Sequence, residues 1–320
     1  MIICCGEALI DMIRTPVSGL GNVYLPLPGG CAYNTAIAIG RLGVPVSFLG
    51  RLSTDFFGEI LVDRLRKNNV SDELIILSEQ NTTLAFIKVE KGMEPQYAFY
   101  TEATANRSFV TDDLPTQLPA DASCLVFGSI SMTMEPIAST IETLILREAA
   151  RKKLVIAFDP NIRPFMIRDK DAYMKRFEKW INASAITKIS IEDLDFILPK
   201  MAPEQALRKI LAMGSRLAIA TLGPQGAIAM LRKDDGSVIK VSVPAAHIST
   251  LVDTIGAGDT FLGALLFWLV QSDKMTYSTL VYLSETDLHD ALVFANRAAS
   301  IVCTRHGAEP PTLEEVRNLE

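Results

Sequence analysis

Residues 253–270 read D-T-I-G-A-G-D-T-F-L-G-A-L-L-F-W-L-V. A glycine-rich turn runs directly into an apolar, helix-forming stretch. Such a junction leaves backbone N–H groups unpaired at the helix start, and with the positive end of the helix dipole they form an anion site. Gly256 and Gly258 let the backbone approach an anion closely. Asp259 falls in or beside the first helical turn, where a docked phosphate would meet its negative charge. A carboxylate in that place makes chemical sense as the base that takes a proton from a hydroxyl attacking a phosphoryl group. The structural alternative is an N-cap aspartate on a tight turn, and the second aspartate flanking G-A-G, Asp253, weighs against it.

Outward from this turn, strand-like and helix-like apolar periods alternate. Continuous apolar runs at 2–10, 45–50, 123–128, 153–158 and 216–221 predict strands buried on both faces. The stretch 56–67 carries a stripe of Ile60, Leu61 and Leu65, and 136–152 one of Ile137, Ile141, Leu144 and Ile145, which predicts amphipathic helices. The alternation implies an α/β fold with a mainly parallel sheet covered on both sides. Residues 83–90 and 95–101 break the rhythm and predict a hairpin turning at K-G-M-E with Gly92. Ala85, Ile87 and Val89 face one way and Leu84 and Phe86 the other; Tyr97 and Phe99 oppose Ala98 and Tyr100. A projecting sheet apolar on both faces needs two covers, a ligand and a partner subunit, unless it simply extends the main sheet.

Composition bounds the rest. The 320 residues are 49% hydrophobic and 21% charged, as in globular proteins, so disorder is excluded. The net charge of −6 argues against nucleic acid as a partner. The N-terminus lacks a basic region before its apolar run, which Glu7 interrupts, so no signal peptide is expected. The apolar stretch near 261–270 is half the ~20 residues of a membrane span. Five cysteines without a C-x-x-C pair read as buried free thiols in a reducing cytoplasm. His247, His289 and His306 lie far apart, which leaves little for a zinc site or a histidine triad.

Four further clusters carry polar groups. In G-G-C-A-Y-N (29–34), Asn34 sits inside a helix, where its propensity is poor and a buried amide needs polar partners such as sugar hydroxyls. Asp11 ends the predicted first strand, at the sheet edge where open α/β folds bind ligands. D-P-N-I-R (159–163) places Arg163 beyond another strand, able to clamp a sugar oxygen or a phosphate, or to form a surface ion pair. T-L-G-P-Q-G-A (221–227) is a glycine-rich turn suited to a nucleotide, or a plain hairpin. No G-K pair occurs, so there is no Walker A loop, and no H-R-D loop of protein kinases.

Together these clusters resemble the ribokinase-like (PfkB) family of sugar and nucleoside kinases. The resemblance spans nearly the whole chain. G-G-C-A-Y-N-T-A-I-A-I-G-R-L-G and G-R-L-S-T-D-F-F-G match its first signature, and D-T-I-G-A-G-D-T-F-L-G-A its second. C-C-G-E-A-L-I-D-M, Y-A-F-Y-T-E-A-T-A-N-R and D-P-N-I-R-P are similar to bacterial fructokinases in particular. The resemblance implies one ribokinase-like unit over 1–320, with a lid from about 83–101 and part of 11–28. It implies Asp259 as catalytic base and the amides of Gly256, Ala257 and Gly258 as the anion hole. Asp11, Gly29, Gly30, Asn34 and Arg163 would hold the sugar. Lys188, Ser190, Thr221, Gly223, Gly226, Gly258 and Asn296 would line the ATP site. Mg²⁺ would accompany ATP. An activating K⁺ would be bound by Asp253 and the carbonyls of Ile255, Val302, Arg305 and Gly307.

Two positions depart from the family. Its N-x-x-E motif, which orders water around Mg²⁺, reads Ser190-Ile-Glu-Asp here, leaving Glu192 and Asp193 as candidates. Pro311 stands where the family often has a serine ligand to K⁺. The resemblance thus implies a cytoplasmic kinase phosphorylating D-fructose at its 6-hydroxyl, forming a homodimer through lid strands. A kinase for 2-keto-3-deoxygluconate or another furanose is the alternative within the class. An inactive sugar-binding regulator is the alternative outside it.

Overall fold

The continuous apolar runs become the buried strands of one large sheet. The computed structural model describes residues 1–17, 21–88, 96–248 and 250–319. The predicted turn K-G-M-E, Gly92 and Val89 lie outside the described residues. The first half contains β1 (Ile2–Cys5), β2 (Leu9–Val17), β3 (Gly21–Gly29), α1 (Cys31–Leu42), β4 (Val46–Ser53), α2 (Phe56–Lys67), β5 (Val70–Ser71), β6 (Ile75–Ser78), β7 (Leu84–Lys88), β8 (Gln96–Tyr100), β9 (Cys124–Gly128) and α3 (Ile137–Arg151). The second contains β10 (Val155–Asp159), α4 (Lys170–Ala183), β11 (Ile186–Ser190), α5 (Ile191–Ile197), α6 (Pro203–Met213), β12 (Leu217–Thr221), β13 (Ala227–Arg232), β14 (Val238–Val243), α7 (Ala257–Gln271), α8 (Tyr277–Leu280), α9 (Glu285–Val302) and α10 (Leu313–Arg317).

The main sheet runs β14-β13-β12-β11-β10-β9-β1-β4-β5, with β6 also paired to β4. It is parallel from β12 to β5, and β13 and β14 add an antiparallel edge. T-L-G-P-Q-G-A is therefore the turn of the β12–β13 hairpin. Chain order reverses around β1, flanked by β4 and β9, and open α/β sheets bind ligands beyond the strand ends at such a point.

Two apolar cores sandwich the sheet. One gathers Ala36 and Ile37 of α1, Leu61 and Leu65 of α2, Leu262 and Leu266 of α7 and Leu292 of α9. The other gathers Ile141 and Leu144 of α3, Phe177 and Trp180 of α4 and Leu207 of α6. The apolar run of α7 is thus a core helix. Ile60, predicted to join the stripe of α2, is instead 45% exposed, because that helix turns Leu61 and Leu65 to the core, with Phe57 and Val62 packed beside them.

The first strand is also corrected. The run 2–10 is two strands in two sheets: β1 ends at Cys5, the chain breaks at Gly6–Ala8, and β2 leaves for a separate sheet. That second sheet has the order β3-β2-β7-β8. It is the projecting hairpin of the sequence, enlarged by β2 and β3, and it does not extend the main sheet. Asp11 therefore lies inside a strand of the small sheet and not at the end of a core strand.

Its two faces follow the predicted alternation. Register pairs Asp11 with Ala85, Ile13 with Ile87, Ala85 with Phe99 and Ile87 with Tyr97 on one face. Met12, Phe86 and Ala98 share the other, with Leu84 and Tyr100. Ala85 and Ile87 are buried, while Tyr24, Tyr97 and Tyr100 are exposed. All five cysteines are free thiols; Cys4, Cys5, Cys31 and Cys124 are buried as expected, and Cys303 is only half-buried. Among the described residues, no helix is long and apolar enough to cross a membrane.

Candidate active site

Helix α7 starts where the sequence predicts, and its N-cap is Gly256, in the left-handed region at φ 76°. A side chain there is doubly disfavoured, since its Cβ would also stand 2.5 Å from the Cβ of Ala308. Asp259 is the third helical residue and not the cap, which removes the N-cap reading. Its carboxylate accepts a hydrogen bond from Asn34 Nδ2 at 2.9 Å. Thr35, one residue on, donates from its hydroxyl to the Asp259 carbonyl at 3.4 Å. The poor helix former Asn34 is thus explained: it ties α1 to α7 from within the helix. Burial raises the Asp259 pKa, opposed by the Asn34 bond and by the charge of Lys188.

Of the expected anion-hole amides, that of Ala257 donates to the Thr254 carbonyl at 3.2 Å. Gly258 lies against Lys188: a Cβ on it would stand 2.8 Å from the Lys188 ammonium.

Below the helix start, Lys188 of β11 bridges to Asp159 at the end of β10, Nζ to Oδ2 at 2.9 Å, with both side chains buried. The register Phe158↔Thr187 sets the two residues side by side on the sheet face that α7 covers. Burial alone would lower the Lys188 pKa; Asp159 outweighs it, and the ammonium holds its proton more tightly than in water. Sequence reading missed Asp159, although it opens D-P-N-I-R. It also missed Glu7, whose buried carboxylate accepts the Cys31 N–H at 2.9 Å and the Ser131 hydroxyl, fixing the start of α1. A glutamate inside an apolar run was the available signal.

The small sheet brings Asp11 to this floor. A Cβ at Gly29 would stand 2.1 Å from Asp11 Oδ2, so the glycine makes room for the carboxylate. Gly30 follows and caps α1. Burial pushes the Asp11 pKa to about 7, against the opposing pull of Arg163 and with help from the charge of Asp259. Arg163 is folded onto its own loop: Nη1 donates to Asn161 Oδ1 at 2.6 Å and to the carbonyls of Asn161 and Ile162. Beside it, Phe165 packs on Phe99 and Tyr97 of the small sheet, with ring centroids 5.8 and 6.2 Å apart.

Of the residues expected to meet a nucleotide, Lys188 and Gly258 lie together at the floor, and the others gather around the β12–β13 hairpin. Ser190 and Thr221 are register partners at adjacent strand ends. Gly226 abuts Pro244 and Ala245, and Asn296 Nδ2 donates to the Pro244 carbonyl at 3.0 Å. Pro244, Ala245, Asn296 and Arg297 line a cavity of 220 Å³. Gly223 sits on the exposed turn above them.

The cation candidates separate into two groups. Asp193 is buried, and its oxygens accept the N–H groups of Ile162 and Ser190, at 2.7 and 3.3 Å; Glu192 is exposed beside it. Asp253 accepts the Ile255 N–H and the Gly307 N–H, both at 3.0 Å, joining the two loops expected around K⁺. The Val302 and Gly307 carbonyls each accept one amide, from Arg305 and Glu309. The Arg305 side chain turns away, onto Glu309, Pro310 and Glu315.

Comparison with known proteins identifies the family. The pfkB family of carbohydrate kinases matches residues 1–315. A fructokinase of Rhizobium leguminosarum bv. trifolii is 39% identical over 290 residues, covering 91% of this chain and 86% of the relative. The probable fructokinase-3 of Arabidopsis thaliana is 33% identical, covering 100% of this chain and 90% of its own. The ATP-bound fructokinase of Xylella fastidiosa superposes with a TM-score of 0.89 at 28% identity, covering 99% and 97% of the two chains. The fructokinase of Vibrio cholerae O395, bound to fructose, ADP and calcium, superposes with a TM-score of 0.83 at 25% identity, covering 100% and 98%. With the glycine turn, the buried aspartate and the separate small sheet all in place, this chain belongs to the pfkB family of carbohydrate kinases and is a sugar kinase.

Proposed function

We propose that the protein transfers the γ-phosphoryl group of ATP to the 6-hydroxyl of D-fructose, giving fructose 6-phosphate and ADP. The observation that carries this reading is Asp259, held by Asn34 at the mouth of an anion-binding helix start, with Asp11 brought over it by the small sheet. In the reaction Asp259 accepts the proton of the 6-hydroxyl as its oxygen forms the new bond to phosphorus. The bond to ADP breaks, and the proton then passes to solvent. The helix start and Lys188 offset the charge spread over the transferred group. Asp11, Asn34 and Arg163 hold the remaining sugar oxygens. The buried Asn34 Oδ1 supports this, since it has no protein partner among the described residues and so retains an unused acceptor.

The named relatives support fructose. A keto acid needs a cation for its carboxylate, and Arg107 is engaged by Glu102 and the Glu135 carbonyl. An inactive sugar-binding regulator has no use for a buried base.

Mg²⁺ would enter with ATP and neutralise its phosphates. Glu192, and Asp193 through the lone pairs its amide bonds leave free, fit a role in ordering the ion's water shell. Asp253 and the carbonyls of Ile255, Val302, Arg305 and Gly307 form an all-oxygen set suited to K⁺. Rates in K⁺ above those in Na⁺ at equal ionic strength check that site. Tyr24 (40% exposed), Phe86 and Tyr100 (62% exposed) form an aromatic cluster on the outer lid face, which supports a homodimer through the lid. A monomer in sedimentation at micromolar concentration contradicts it. The reading as a whole is tested by ³¹P NMR of the product: the expected phosphomonoester is on C6, and an ester on C1, or none, overturns it.

A further inference from the structure

Three donor groups from three elements meet at the floor of the acceptor site: the Cys31 thiol at the start of α1, Asp159 at the end of β10 and Asp259 on α7. One ligand atom of each lies within 4.8 Å of the other two. The three residues are 8%, 1% and 6% exposed. Cys31 Sγ stands 3.8 Å from Asp159 Oδ2. A tetrahedral zinc ion, with its sulfur at about 2.3 Å and oxygen at about 2.0 Å, sets those two ligands roughly 3.5 Å apart. That same Oδ2 accepts from Lys188 Nζ at 2.9 Å, while its twin, Oδ1, is buried and has no protein partner among the described residues, which leaves the carboxylate one oxygen to offer a metal. A carboxylate oxygen sealed from water with an open valence calls for a ligand.

The geometry points to a third cation site, for a thiophilic divalent metal such as Zn²⁺, formed by Cys31 Sγ with one oxygen each from Asp159 and Asp259. The thiol separates this site from those of the reaction's own cations, because Mg²⁺ and K⁺ select oxygen ligands and leave thiolates aside. Three protein ligands leave a fourth position for water. On binding, the Cys31 S–H bond breaks as the sulfur–metal bond forms. The proton goes to solvent and no electron is transferred. The bound ion takes the Asp259 carboxylate, so the filled site shuts off transfer to the acceptor. Binding needs only the three donors; the inhibition rests in addition on Asp259 being the base.

The two parts are read separately. Co²⁺ added to the nucleotide-free protein is the spectroscopic probe. A thiolate-to-Co²⁺ charge-transfer band is expected in the wild type and in Cys303→Ala, and is lost in Cys31→Ala. No band in the wild type, or a band that survives Cys31→Ala, overturns the site. Initial rates are then titrated with Zn²⁺ at saturating Mg-ATP and fructose, each protein scaled to its own metal-free rate. Losing a partner of a metal ligand already costs about 10–100-fold in affinity, so loss of a ligand itself should raise the half-inhibiting Zn²⁺ concentration at least tenfold in Cys31→Ala. Equal inhibition of the two proteins overturns the inhibitory role. A Cys31-dependent band without inhibition keeps the site and counts against Asp259 as the base.

Discussion

The floor of the site and its lid are built on opposite terms. On the floor, Asn34 holds Asp259, Lys188 holds Asp159 and Glu7, in the break after β1, holds the start of α1, all with buried side chains. In the lid, contacts to the body are aromatic and partly exposed: Tyr97 and Phe99 meet Phe165 of the body, while Tyr24 and Tyr100 face outward. Charges fixed by rigid neighbours stabilise a transition state without reorganising. A thin sheet with few buried contacts opens and closes at low cost. On the proposed reading, chemistry belongs to the floor, and the lid helps to capture the acceptor.

The largest expected break in this division is at the floor. Asp259→Asn keeps the side-chain shape and removes the base, so kcat should fall by about 10²–10⁴. The sugar KM should change far less, because other groups hold the sugar. Steady-state kinetics check both, and a variant keeping more than half of wild-type kcat contradicts the assignment. Lys188→Met tests the same floor through stability. It leaves Asp159 buried beside no cation, at a cost of about 3–5 kcal/mol in urea unfolding. Adding Asp159→Leu should restore much of that loss; if it restores nothing, the buried pair is not the cause.

Effects in the lid should be smaller and fall on binding. Phe165→Ala removes two ring contacts, each worth about 0.5–1.5 kcal/mol beyond buried area. A several-fold rise in sugar KM with kcat and Tm nearly unchanged is expected. A fall in kcat alone would place Phe165 with the floor. Asp11 sharpens the comparison through pH. Its pKa of about 7 leaves it half protonated near neutrality, so KM for the sugar should fall as pH rises through that value, and should be flat in Asp11→Asn. Stability runs the other way. The folded state holds this proton more tightly than an ordinary carboxyl of pKa 3.8, so wild type loses stability relative to Asp11→Asn as pH climbs from 3.8 to about 7. Tm against pH for the two proteins shows whether the gap has that sign.

The same division governs what the sequence discloses. Local chemistry was readable: the G-A-G turn into α7, the misplaced helical Asn34, D-P-N-I-R past a strand and the Ala85/Ile87 alternation each encode their structure within a few residues. The break at Gly6–Ala8 was not, because apolar residues on both sides give β1 and β2 one continuous signal, although they enter different sheets. Strand β11, I-T-K-I-S, was passed over because Thr187 and Lys188 interrupt its apolar run. The same lysine is the partner of Asp159, and side-by-side pairing across parallel strands leaves no spacing rule in the chain. The meeting of Cys31, Asp159 and Asp259 is likewise a product of topology.

One measurement reaches the central claim most directly: kcat/KM by ADP release over a panel of acceptors, with Mg-ATP fixed. A polar acceptor site that hydrogen-bonds hydroxyls discriminates steeply against acceptors that misplace them. The account predicts that fructose exceeds ribose, adenosine and 2-keto-3-deoxygluconate by at least about tenfold, or roughly 1.4 kcal/mol in transition-state binding. If the keto acid leads the panel, the fructose assignment is contradicted and the sugar kinase remains; if no acceptor releases ADP, the catalytic role of Asp259 falls with it.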